Sequence, residues 1–104
     1  YHGFVLGLLV ELRNEYLLKS NRESGYGRYD VMLIPKEKEK NPIIMEFKVF
    51  ESTEETTLKE TVQSALRQIE EKQYDTELLT MGFAKEQIKH YGFAFEGKTV
   101  LIGN

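Results

Sequence analysis

Three ionisable residues, Asp30, Glu46 and Lys48, sit where a folded chain normally avoids charge. Lys48 follows Glu46 by two positions within Ile43-Ile44-Met45-Glu46-Phe47-Lys48-Val49-Phe50, and Asp30 leads the apolar run Val31-Met32-Leu33-Ile34. Both segments read as β-strands. Side chains alternate along a strand, so Ile44, Glu46, Lys48 and Phe50 share one face and Ile43, Met45, Phe47 and Val49 the other. A strand this apolar on both faces is expected at the centre of a sheet, covered on both sides. There a carboxylate and an ammonium are costly unless paired, hydrogen-bonded or bound to metal. Two carboxylates at one end of adjacent strands offer hard oxygen ligands to Mg2+ or Mn2+. Lys48 is placed to orient a water or, as a neutral amine, to deprotonate it, and as an ammonium to stabilise negative charge that develops as the water attacks. The competing reading is an edge strand on which Glu46 and Lys48 form a solvated ion pair.

The flanking sequence supplies elements that can hold such a site. Apolar residues at Phe4, Val5, Leu8, Leu9, Leu12 and Tyr16 follow helical spacing, which predicts a first helix ending near Asn14 and a strand over Glu15–Ser20. Asn21 to Gly27 is rich in turn residues and reads as a loop before the Arg28–Ile34 strand. Pro35 and Pro42 bracket the charged connection Lys36–Asn41, whose Lys-Glu alternation predicts a solvated tip. Ser52 with Glu55 three residues on forms a capping-box pattern, followed by a helical face of Leu58, Val62, Ala65, Leu66 and Ile69 running to about Lys72. Asp75 is expected to cap a short helix over Thr76–Met81 that Gly82 stops. Strands are expected over Ile88–Phe95 and Thr99–Ile102, joined by the turn Glu96-Gly97-Lys98. The order helix, three strands, helix, two strands gives an α/β domain with a mixed central sheet flanked by helices.

Composition narrows the classes. A chain of 104 residues has room for one small domain, and 40% hydrophobic with 30% charged residues places it among globular sequences rather than disordered ones. The lack of cysteine excludes disulfides, thiolate zinc sites and cysteine nucleophiles. The longest apolar run, Phe4 to Val10, is too short to span a bilayer and lacks the flanks of a signal peptide, so a cytoplasmic domain with no membrane contact is expected. Because the sequence starts at Tyr1 within a helix-like pattern, residues 1–104 are expected to be one domain of a longer polypeptide. A net charge of −3 opposes any grip on nucleic acid through overall basicity, although a divalent ion reverses the local sign where it binds.

An aspartate, about fifteen residues of hairpin, then Glu-x-Lys on the next strand resembles the signature of the PD-(D/E)XK nuclease superfamily. The helix that follows carries Gln68-Ile69-x-x-Lys72-x-Tyr74, which is similar to the fourth motif of that superfamily. More narrowly, Tyr1-His2-Gly3-Phe4, Ser20 through Asp30, and Ile44-Met45-Glu46-Phe47-Lys48 look like the nuclease-like domain at the C-terminus of a bacterial family of AAA-ATPase-like proteins. Tyr29 stands where the superfamily's name has proline. The resemblance implies a restriction-endonuclease-like core in the order α-β-β-β-α-β-β and metal-dependent hydrolysis of phosphodiester bonds in DNA. It implies Asp30, Glu46 and the backbone carbonyl of Phe47 as ligands of Mg2+ or Mn2+, Lys48 as the electrostatic and proton-handling group, and an ATPase-like domain upstream.

Other residues are weaker candidates. Gln68 lies beside the Ala65, Ile69, Lys72 edge of its helix, where its amide can reach a water or a phosphate or can face solvent. Lys72 reads as a boundary residue and Tyr74 as packing. The superfamily often adds an acid from its first helix, which Glu11, Glu15 or a residue upstream of Tyr1 would supply. His2 suits a helix start, and Arg22 and Arg28 can meet phosphates or pair with Glu23 or Asp30. Gly25-Tyr26-Gly27 is too short for a nucleotide-binding loop. The rival to an enzyme is a catalytically silent binding or regulatory module that keeps the fold and contacts a partner domain through its acidic surface. Oligomeric state stays open.

Overall fold

The computed structural model describes residues 7, 14–22, 28–52 and 56–104. Within these, strands β1 (Tyr16–Arg22), β2 (Arg28–Pro35) and β3 (Ile43–Val49) come first. Helices α1 (Leu58–Glu71) and α2 (Asp75–Thr80), a 3-10 turn at Lys85–Gln87, and strands β4 (Lys89–Glu96) and β5 (Thr99–Gly103) follow. Residues 1–13 of the expected first helix, apart from Gly7, which is helical, and residues 23–27 of the expected loop lie outside the described residues.

The five strands form one sheet in the order β1-β2-β3-β4-β5, so β3 is central, as its two apolar faces require. Neighbours are antiparallel except β3 and β4, which run parallel and are joined through α1 and α2. The two sheet faces bury separate clusters. Val31, Leu33, Met45, Phe47, Phe93 and Phe95 pack on one face. Met32, Ile34 and Ile44 pack on the other against Ile69 of α1, Leu78 of α2 and Phe83. The period-two alternation read from β3 therefore divides its side chains as expected, with the Phe47 ring tilted against Phe93 at 4.7 Å between centroids, on the face away from α1 and α2.

Helix α1 settles close to β4 because Gly92 carries no side chain. A Cβ at Gly92 would lie 2.8 Å from the Val62 carbonyl oxygen and 3.3 Å from Ala65 Cβ. Gly92 is also the register partner of Glu46, so this close approach sets the helix beside the charged strand.

Several expected boundaries move. The turn-rich segment after Ser20 does not break the chain at once, and β1 runs on to Arg22 because Asn21 and Arg22 pair with Asp30 and Tyr29. Glu55 of the expected capping box lies outside the described residues, and Ser52 does not cap the helix. Thr57 does, its hydroxyl accepting from the Glu60 backbone N–H at 3.2 Å, a cap that contributes about 1 kcal/mol. The same Thr/Ser-x-x-Glu spacing recurs at Thr57 and Glu60, one residue before the apolar face begins. Asp75 does not cap α2 either; Tyr74 occupies the cap position without a side-chain bond, and the Asp75 carboxylate is engaged by His90. Gly82, at φ 100°, ends this segment as expected. The charged hairpin tip is exposed at Lys36 to Glu39 yet is strapped down. The Lys38 ammonium donates to the Met81 carbonyl and lies 4.6 Å over the Phe83 ring, and the Gln87 amide donates to the Lys38 carbonyl at 2.9 Å. No described helix is long and apolar enough to cross a membrane.

Candidate active site

The antiparallel register of β2 and β3 places Asp30 directly opposite Glu46. Residues so paired point to one face with Cβ atoms roughly 4.5–5.5 Å apart, so two carboxylates separated by fifteen residues of sequence become immediate neighbours. Their face is the one covered by α1 and α2, since the next pair along, Met32 and Ile44, belongs to the cluster beneath the helices. Lys48 follows on the same face, between Arg28 on β2 and Ala94 on β4.

All three groups are withdrawn from solvent. Glu46 is 0% exposed, Lys48 3% and Asp30 6%, which excludes the solvated edge-strand pair. Both carboxylate oxygens of Glu46 are buried. Burial is the main influence on Asp30 and raises its pKa above the ordinary carboxylate value, because a charged carboxylate loses its water. One hydrogen bond opposes this. The Tyr74 hydroxyl donates to Asp30 Oδ2 at 2.7 Å, which favours the ionised form. Tyr74 is itself pushed up, first by burial and then by its bond to Asp30 and the negative charges of Asp30 and Glu46, so its proton stays in place as a donor.

The sequence reading of Tyr74 as packing is incomplete. Its ring does pack against the cluster under the helices, but its hydroxyl reaches the candidate site. The available signal was chemical: a tyrosine at the end of an amphipathic helix buries its ring and still needs a partner for its oxygen. Gln68, one turn beyond fully buried Ala65, is half-buried at the edge of the α1 face, while Lys72 is exposed at the C-cap. Glu15 is not brought to this site. It lies at the start of β1, where its backbone carbonyl accepts from Lys36 and its carboxylate meets Lys40 at 3.5 Å, at the opposite end of the sheet from Asp30. Glu11 and His2 lie outside the described residues, as do the side chains of Arg22 and Arg28.

The donor set fits a hard divalent cation. Among the described residues no group of three or more His, Cys, Asp or Glu side chains converges. Asp30 and Glu46 instead supply two carboxylates, and Mg2+ characteristically takes one or two carboxylates and keeps several waters. Phe47 can add only its backbone carbonyl, since its ring is committed to the opposite face.

The mixed five-stranded sheet with helices across the β3–β4 connection is an α/β fold consistent with a restriction-endonuclease-like core. The chain belongs to the PD-(D/E)XK nuclease superfamily, whose sequence profile matches residues 1–104. No curated protein and no solved structure matches it.

Proposed function

We propose that the chain is the nuclease domain of a longer cytoplasmic polypeptide and hydrolyses phosphodiester bonds of DNA with Mg2+ or Mn2+. The observation that carries this reading is the buried Asp30 and Glu46 pair on adjacent strands, with Lys48 two residues on and on the same face. Asp30, Glu46 and the Phe47 carbonyl would hold the ion. When bound, the ion supplies Lewis acidity at the scissile phosphate and makes water a stronger nucleophile near neutral pH. Lys48 would orient the attacking water and, as an ammonium, stabilise charge on the phosphorane-like transition state. Gln68 steadies the water or a phosphate oxygen from the edge of α1. Tyr74 holds Asp30 as an acceptor turned toward the site.

A second reading keeps the fold and drops the chemistry: a binding module attached to the ATPase-like domain that the sequence resemblance implies. The net charge of −3 favours it, because a protein that grips DNA alone normally clusters Lys and Arg. Cleavage assays of the full-length polypeptide on varied DNA and RNA, with Mg2+, Mn2+ or EDTA and any nucleotide the upstream domain requires, separate the two. Metal-dependent cleavage that Glu46→Ala eliminates supports the enzyme. Absence of cleavage on every substrate favours the module.

A further inference from the structure

The link between α1 and α2 is a tight elbow. Lys72 closes α1, Gln73 takes φ 53°, and Tyr74 and Asp75 lead into α2. Gln73 is the one non-glycine residue with positive φ among the described residues, a conformation that L-residues disfavour. A pocket of about 310 Å³ opens at the elbow, lined by Ile69, Gln73, Thr76 and Leu79 together with Asp75 and His90. The Tyr74 ring packs into the cluster beneath the helices, and on the side of the pocket polar ties hold the elbow.

Two polar ties, on consecutive residues, reach strands on either side of β3. Tyr74 donates to Asp30 on β2 at 2.7 Å. Asp75 Oδ1 lies 2.7 Å from Nε2 of His90 on β4, and the contact is about one quarter exposed. A carboxylate accepts, so the imidazole Nε2–H donates. His90 pairs in register with Ile44 and lies two residues before Gly92, the partner of Glu46. The elbow thus straddles the strand that carries Glu46 and Lys48.

We propose that the His90–Asp75 hydrogen bond is a positioning device for the candidate site. It anchors the elbow to β4, and that anchor keeps the Tyr74 hydroxyl on Asp30 and the Asp30 carboxylate facing Glu46. The functional meaning of the tie rests on the nuclease reading; the tie itself does not. Without it, the strained elbow relaxes into the pocket and carries Tyr74 off Asp30.

The test follows Tyr74 directly. The chain is labelled with 13Cζ-tyrosine, and the Tyr74 resonance is assigned by its loss in Tyr74→Phe. In His90→Ala this resonance moves toward that of a tyrosine bonded only to water, while those of Tyr16 and Tyr91 stay in place. In His90→Gln, whose amide can again donate to Asp75, most of the displacement is restored. Mn2+ affinity follows the same order, falling about tenfold in His90→Ala, the scale on which groups that orient metal ligands act. Should His90→Ala not fold, Asp75→Ala, which also removes the bond, and His90→Gln carry the comparison. A Tyr74 resonance unmoved in His90→Ala, even with a lowered melting temperature, reduces the pair to an ordinary structural contact and overturns the inference. If the wild-type chain binds no Mn2+, the nuclease reading falls and the tyrosine resonance alone decides the tie.

Discussion

The Tyr74 hydroxyl and the Asp30 carboxylate meet at 2.7 Å across 44 residues of sequence, joining the end of the helical layer to the strand that carries the first acid. A hydrogen bond to a charged group contributes roughly 1.5–3 kcal/mol when both partners are sheltered. Tyr74→Phe is therefore expected to destabilise the metal-free chain by about that amount at neutral pH. The bond favours ionised Asp30, so its loss raises the Asp30 pKa further. The destabilisation should shrink as pH falls and Asp30 becomes protonated in both proteins. Urea unfolding at several pH values checks this; a loss that does not depend on pH would assign the effect to ring packing.

Asp30→Asn should act in the opposite sense on the metal-free chain. Burial raises the folded-state pKa of Asp30 above 3.8, so the folded chain binds its proton more tightly than the unfolded chain does. The stability contributed by that proton is fully present below the unfolded value and is lost as pH rises through the folded one. A neutral amide, which can still accept from Tyr74, avoids the loss. The variant is expected to melt slightly higher at neutral pH without metal and to lose stabilisation by Mn2+. An unchanged Mn2+-induced shift in melting temperature would place the ion elsewhere.

Binding and chemistry separate at Lys48. An ammonium does not ligate a cation, and methionine fits a site that is 3% exposed with little change of volume. Lys48→Met should leave Mn2+ affinity intact or raise it, by removing a positive charge from beside the ion. Turnover is expected to fall by about 10²–10³, the usual loss when one electrostatic stabiliser is removed. Cleavage at the wild-type rate would take Lys48 out of the mechanism.

Gln73 offers a test of the backbone alone. At φ 53° a glycine avoids the left-handed penalty, and a β-branched residue makes it worse. Gln73→Gly should raise stability by up to about 1 kcal/mol, and Gln73→Val should lower it by about 1–2 kcal/mol, both read from denaturant midpoints. Equal midpoints for the two variants would mean that the elbow changes conformation in solution.

The isolated 104-residue chain, net acidic, is expected to bind DNA weakly and to show little cleavage at physiological salt, since one metal-held phosphate gives only salt-sensitive affinity. A longer polypeptide that supplies further phosphate contacts should cleave. Filter binding across a salt series measures both; tight, salt-resistant binding by residues 1–104 would contradict this expectation.

Alternation along Ile43–Val49 was enough to place Glu46 and Lys48 on one face and to make β3 central, because period-two burial is a property of the strand itself. The same local logic located the hairpin, the apolar stripe of α1 and the stop at Gly82. It misjudged caps at Ser52 and Asp75, where several residues of capping type compete and the winner is chosen by which helical turn meets the sheet and which carboxylate meets a distant donor. Asp30 and Glu46 could be named as a pair from spacing, but their direct opposition comes from the β2–β3 register. Tyr74 on Asp30, Asp75 on His90, and Glu15 drawn away to Lys40 are contacts between residues at least fifteen positions apart. Sequence determined which groups are present and which face each strand offers. Tertiary structure decided which groups touch, because contact between distant residues depends on how the helical layer closes over the sheet, and no local periodicity encodes that.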